Sequence, residues 1–300
     1  MCKTVLRQER QRGVAAMLAL LLTALAVVLV ADLFWAQQIQ LRSMQNQQYR
    51  LRARLAQRAA LDTLIAALQS PAASTQPIAL GGAWSELPDS EGTPSEAVVS
   101  QHIVDAQSSF NLSNLALAAV VNPFEIAAFG RMLTALQLDP KLAQQAAEAI
   151  ARTQTAAGAG PAAASQAGIT ELDDLLGTPG FTPAVLDRLR AFAVVLPQRT
   201  PINVNTAPPI VLMSVADLAP ADAQRLVASR QQANFRDTSD FVLRLNDRQT
   251  LEGVNFAVSS DFFLVTSKVQ VHTASLTTQA LLWLRSRNPT KTALVSLRER

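Results

Sequence analysis

The sequence predicts an α+β protein. A long N-terminal transmembrane α-helix leads into an α/β frame with an antiparallel sheet, and a large all-α segment interrupts that frame. Three observations predict this. Val14 to Ala31 is apolar apart from Thr23, about 18 residues, near the minimum for a bilayer span. No Gly or Pro occurs from Val14 to Ser70, so one helix of roughly 55 residues, about 80 Å, can continue past the apolar run. Further on, β-branched and alternating segments flank a long stretch of helical periodicity.

The N-terminus carries the charge. Met1 to Gly13 holds Lys3, Arg7, Arg10 and Arg12 against Glu9, an excess that accounts for the whole formal net charge of +3. Arg42, Arg50, Arg52, Arg54 and Arg58 follow the apolar run, and the rest is mildly acidic. A head without excess positive charge lacks the usual footprint of a nucleic-acid binder. Cys2 is the only cysteine, which excludes an internal disulfide framework or a multi-Cys zinc site. Trp35 suits the far membrane interface. Leu61, Leu64, Ile65 and Leu68 make the distal helix amphipathic.

Pro71 to Pro94 reads as loop, and Ala97 to Asp105 as a strand through Val98, Val99, Ile103 and Val104. Ser109 to Leu115 is a turn-like exit. Helical spacing runs from Pro123 to Arg152, and Ala156 to Gly168 is an Ala/Gly/Pro loop. Thr170 to Leu176 and Pro183 to Val195 read as helices, with helical signal continuing to about Leu245. Alternation then marks strands around Phe262 to Ser267 and Thr277 to Arg285. The early strand and these two late ones are expected to pair, with the helical block at one end of the sheet.

The segment Thr200-Pro201-Ile202-Asn203-Val204-Asn205-Thr206-Ala207-Pro208-Pro209 is the most distinctive internal sequence. Asn205 or Thr206 is a candidate helix N-cap, with both prolines in the first turn. Leu212, Val215, Ala216 and Ala219 would be the buried stripe, and Ala221 to Arg230 a second helix. This pair resembles helix-hairpin-helix modules, the basis of an alternative reading as a membrane-anchored DNA-binding or DNA-uptake protein. Its hairpin, Ala216 to Asp222, has no Gly and two aspartates, which disfavours phosphate contact.

No nucleophile elbow, zinc-protease motif or phosphate loop is present in the sequence. His102 and His272 fall in expected strands and read as partly buried sheet histidines. Asp173 and Asp174 sit at an expected helix start. No enzymatic activity is expected.

Arg10-Gln11-Arg12-Gly13 followed by Val14-Ala15-Ala16-Met17-Leu18 resembles a type IV prepilin leader and its junction. The resemblance implies that a prepilin peptidase cuts between Gly13 and Val14 and methylates the new N-terminus. It also implies a cytoplasmic leader, a single pass through the inner membrane and a periplasmic head. Most pilins carry Glu at mature position five, where this chain has Leu18. That Glu is thought to neutralise the N-terminal amine of the subunit above, so its absence points to the tip of a fibre.

Asp105 to Leu115, Leu196 to Ala207 and Val258 to Phe263 are similar to signatures of the type II secretion minor pseudopilin K family. The resemblance implies a pilin-like α/β frame with an inserted α-domain. It divides the chain into a leader (1–13), a helix (14–70), the frame (71–110 and 246–300) and the insertion (111–245). The partners it implies are minor pseudopilins I and J in a tip complex above a major pseudopilin fibre. The function it implies is priming that fibre for export of folded proteins. Members that bind calcium do so through acidic side chains. Glu171, Asp173, Asp174, Asp237 and Asp240 are the loose candidates here, although no cofactor is expected.

Overall fold

The computed structural model describes residues 5–69, 78–82, 84, 97–158, 168–245, 255–284 and 292–299. Helix α1, Val5–Leu68, is unbroken. Ala, Leu, Gln and Arg dominate it, all good helix formers. It begins before the apolar run and passes through Gly13 and Val14 as regular helix.

Four antiparallel strands form the main sheet: β1 (Val98–Asp105), β8 (Phe262–Val271), β9 (Ala274–Trp283) and β10 (Ala293–Glu299), in the order β1-β8-β9-β10. Between β1 and β8 in the chain lie the two-residue strands β2 (Phe110–Asn111), β3 (Ala116–Leu117), β4 (Val120–Val121), β5 (Ala193–Val194), β6 (Ile202–Asn203) and β7 (Phe256–Ala257). The expected early strand pairs with β8, from Val98 opposite Gln270 to Asp105 opposite Phe263. Sequence alternation missed β10, whose Leu294, Val295 and Leu297 are all partly exposed at the sheet edge. An edge strand with no buried face lacks the period-two signature.

The sheet packs on the distal half of α1. Phe263, Val265, Val269 and Val271 alternate onto one face of β8 and are fully buried. They meet Ala53, Ala60, Leu61, Leu64 and Leu68 from α1, with Trp84 and Ile103 completing the core. Burying each such leucine or valine stabilises by about 1.5–3 kcal/mol. The amphipathic residues read from the sequence therefore face the sheet.

Between β1 and β8 the chain forms the helical block. Helices α2 (Pro123–Ala135), α3 (Leu142–Gly158), α4 (Pro183–Leu189), α5 (Pro209–Ala216), α6 (Pro220–Gln232) and α7 (Thr238–Leu243) surround a second core. Phe110 stacks on Phe129 there, centroids 5.3 Å apart. The block meets the sheet where β1 leaves and β8 enters, through Ala106, Leu196, Phe262 and Leu281.

Several local expectations need correction. The helical stretch from Pro123 is two helices, because Gln137 turns left-handed and Asp139-Pro140 follows. Helix α3 runs on to Gly158, and the rest of the expected loop to Gly168 lies mostly outside the described residues. The helix expected over Thr170 to Leu176 is a 3-10 turn, Leu172–Gly177. Helix α4 stops at Leu189, and Ala193–Val194 (β5) instead pairs in parallel with Phe110–Asn111 (β2). His272 is not in a strand: it turns the β8–β9 hairpin with φ 48°. Both histidines are exposed rather than partly buried. The expected loop from Pro71 to Pro94 also lies mostly outside the described residues.

Candidate functional site

Two places in the molecule are built for more than packing. The first is α1. Among the described residues it is the one helix long and apolar enough to cross a membrane, and no part of its apolar window is buried within the chain. Val14 and Leu18 are both more than half exposed. A helix that leaves so much apolar surface bare must cover it with lipid or with other subunits. The structure places the expected processing residues Gly13 and Val14 at the start of this segment, on one continuous helix.

The second is a buried polar joint between sheet and helical block. Asp105, the last residue of β1, is 1% exposed. Its carboxylate accepts from Thr206 Oγ1 at 2.5 Å, Ser260 Oγ at 2.6 Å, Asn203 Nδ2 at 2.8 Å and the Gln107 amide at 2.8 Å. Burial drives the Asp105 carboxyl above its ordinary range, against the pull of those four hydrogen bonds. One side chain thus joins the end of β1, the segment before α5 and the entry to β8.

Asparagines extend the joint. Asn111 Nδ2 donates to Gln198 O and Thr200 Oγ1, while its Oδ1 accepts from the Ser113 and Leu196 amides. Asn114 pairs with both backbone groups of Thr200. Asn205 does the same with Phe235, 30 residues on. An Asn side chain offers a donor and an acceptor side by side, so it can replace a strand's ladder partner where no strand runs. Arg230 donates to the carbonyls of Val204 and Ala207 at 2.8 and 2.6 Å, and burial pushes its guanidinium down to about 10.

This geometry overturns the expected N-cap. Asn205 and Thr206 are spent on Phe235 and Asp105, and Pro208 caps α5 instead, with Pro209 in its first turn. Leu212, Val215 and Ala216 are buried as expected. Ala219 is exposed and caps α6, because the chain turns at Asp217, where φ is 51°. Asp105, Asn111, Asn114, Asn203, Asn205, Thr206 and Ser260 all lie in segments that carry the family resemblance, but a buried polar joint was not among the expectations. The signal was a density of Asn, Thr and Ser in segments that were otherwise apolar.

Each acidic candidate is engaged by neighbouring residues. Glu171 pairs with Arg298, Asp173 with Arg190, and Asp240 with Arg244. Asp174 accepts from the Thr170 and Glu171 amides, and Asp237 caps α7 through the Asp240 amide. Calcium needs six to eight convergent oxygens. Among the described residues no group of three or more metal-ligating side chains converges. The DNA-binding alternative finds no support in the helical pair. The α5–α6 turn carries exposed Asp217 beside Asp222 at the start of α6, where phosphate would need bare amides.

A bare apolar helix carrying a sheet and a helical block across a polar joint defines a membrane-anchored subunit of pilin-like build. Residues 108–198 and 202–262 both match the family described as type II secretion system (T2SS), protein K. The chain belongs to that family, a minor pseudopilin of type II secretion. Its relatives include the type II secretion system protein K of Pseudomonas aeruginosa. The two are 28% identical over 289 residues, 87% of this chain and 85% of that protein. The fold is similar to a chain of the crystal structure of the GspK-GspI-GspJ complex from enterotoxigenic Escherichia coli. The TM-score is 0.67 at 20% identity, over 86% of this chain and 99% of the other.

Proposed function

We propose that this chain caps the type II secretion pseudopilus, with its head on the periplasmic face of the inner membrane and its leader removed between Gly13 and Val14. The observation that carries the tip placement is Leu18. A subunit beneath another would need a carboxylate at that depth to pair with the N-terminal amine above, because a buried unpaired charge is costly. Leu18 offers none, yet the new amine at Val14 remains available to a carboxylate below.

The mechanism is mechanical. The apolar half of α1 stores the subunit in the bilayer. Cleavage removes the basic leader, and packing of α1 against partner helices then lifts the head outward. Asp105 and its donors keep the head in one orientation on the helix as this happens. The likeness to a chain of the GspK-GspI-GspJ assembly supports minor pseudopilins I and J as the partners, above a fibre of the major pseudopilin. The reading gives the chain no chemistry of its own and no cofactor.

The test is mass analysis of the mature N-terminus together with a secretion assay. The expected product starts at Val14 and is N-methylated. A bulky residue at position 13, Gly13→Leu, should leave the leader attached and stop secretion. Normal processing and secretion in that variant would refute the reading.

A further inference from the structure

The core between α1 and the sheet is two apolar clusters with a polar layer between them. In the upper one, Leu61, Leu64 and Leu68 of α1 cluster with Ile103, Val265 and Ala280. In the lower one, nearer the apolar span, Ala53 and Ala60 cluster with Val99, Val269 and Val271, and Tyr49 packs beside them. Between the clusters each strand changes character. Gln101 separates Val99 from Ile103 on β1, Ser267 separates Val265 from Val269 on β8, and Thr278 separates Leu276 from Ala280 on β9. At a period of two, all three fall on the face turned to α1. They stand opposite one another in register, and Glu299 of β10 continues the row. Arg54 of α1 pairs with Glu299 at 3.2 Å, which sets this stretch of the helix at the height of the row. Gln57 follows it, four residues before Leu61.

The layer is buried but incompletely satisfied. Gln57, Ser267 and Thr278 are 5%, 1% and 2% exposed. Gln101 Nε2 donates to Ser267 Oγ at 3.2 Å. Among the described residues, Gln57 Nε2 and Thr278 Oγ1 are buried without a hydrogen-bond partner. Such groups destabilise the closed contact at the level where the two clusters meet. The clusters are also unequal. Below the layer the helix brings alanines, each with a single methyl to bury, and above it leucines. Hydrophobic stabilisation follows the apolar area removed from water, so the lower contact is the weaker. Arg54 and Glu299 are both more than half exposed, and their ion pair adds little to it.

We propose that the polar layer divides the contact between α1 and the sheet into two units that open separately. The lower unit, Tyr49 to Ala60 against the β8–β9 hairpin, releases while Leu61 to Leu68 stay seated. Gln57 and Thr278 set where the opening stops, because water reaching the layer satisfies their unpartnered atoms. With the lower unit released, the stem can change its angle to the head on leaving the bilayer, and the head stays attached. The inference goes beyond the tip reading and does not depend on it, since it concerns contacts within one chain.

The test is thiol labelling of the full chain in detergent, with Cys2→Ser removing the native thiol. Val265→Cys and Val269→Cys place a thiol on either side of Ser267, on one strand and one face, at positions that are both 0% exposed. Each rate is taken relative to the same variant unfolded in urea. Val269→Cys should label about tenfold faster than Val265→Cys, at a rate that low urea barely changes, because a local opening exposes little surface. Labelling of Val265→Cys should rise steeply with urea. Adding Gln57→Leu and Thr278→Val should slow Val269→Cys until the two rates agree within about threefold. Thr278→Val alone keeps the shape of the side chain and should close part of the gap, which covers the case of a misfolded multiple variant. Equal rates without these substitutions overturn the proposal, as does a gap that Thr278→Val leaves unchanged. Either result leaves the tip reading standing, and normal processing in Gly13→Leu would leave this proposal standing.

Discussion

Asp105 and Asn203 stand 98 residues apart in sequence and 2.8 Å apart in space, the carboxylate of one accepting from the amide of the other inside the protein. Around that contact the sheet that packs on the membrane helix is fastened to the helical block.

Replacing Asp105 strands its donors. Asp105→Ala leaves Thr206, Ser260 and Asn203 without their acceptor and should cost about 2–4 kcal/mol, read by urea unfolding of the full chain in detergent. The cost of Asp105→Ala with Ser260→Ala should fall short of the two single costs added, since both remove the same contact. Additive losses would mean that the two residues act separately.

Asn205 offers an independent check. It holds both backbone groups of Phe235, which is fully buried beside Phe241. Asn205→Ala should destabilise by about 2–4 kcal/mol. Arg244, paired with Asp240 and stacked over the Phe235 ring at 4.9 Å, is nearer the surface, so Arg244→Ala should cost less.

Glu125 sets a pH dependence. It is 4% exposed, and burial pushes its carboxyl up to about 7, only partly opposed by Arg199. The folded state thus keeps a proton that the unfolded state loses near the ordinary glutamate value of 4.5. Its stabilising contribution is fully present below that lower value and is lost as pH rises to about 7, by up to about 3 kcal/mol. Glu125→Gln should remove this slope. The wild type and the variant, compared by thermal unfolding from pH 4.5 to 8, should therefore diverge most at the alkaline end.

The two faces of the stem should respond differently. Leu64 is 1% exposed against the sheet, so Leu64→Ala should cost about 2–5 kcal/mol. Leu51 is 59% exposed, so Leu51→Ala should change the isolated chain's stability by no more than about 0.5 kcal/mol. Equal losses at the two positions would contradict the two-faced stem.

Legibility in the sequence followed the range of the forces involved. The span of α1 is a matter of composition along one segment, so Val14 to Ala31 announced it. Strand β1 and the core of β8 were readable because burial on one face imposes alternation, as in Phe263, Val265 and Val269. Edge strand β10 buries no face and left no such pattern. The two-residue strands β2 and β5 are held by a parallel pairing between distant segments, so Ala193–Val194 read as the end of a helix. Asn205 carried a local helix-start signal, which its long-range bonds to Phe235 overrode.

The sequence by itself determined the long apolar helix, the absence of a carboxylate at Leu18 and the family to which the chain belongs. These rest on local composition and on motifs read in order. Only the tertiary structure decided why those motifs matter. Asp105, Asn203, Thr206 and Ser260 come from three separate segments, and their hydrogen bonds exist only once the chain brings them within 3 Å. The structure likewise decided which face of the stem is spent on the sheet and which, from Leu41 to Leu55, is left exposed. Periodicity shows that a helix has apolar stripes, but packing decides which of them is covered.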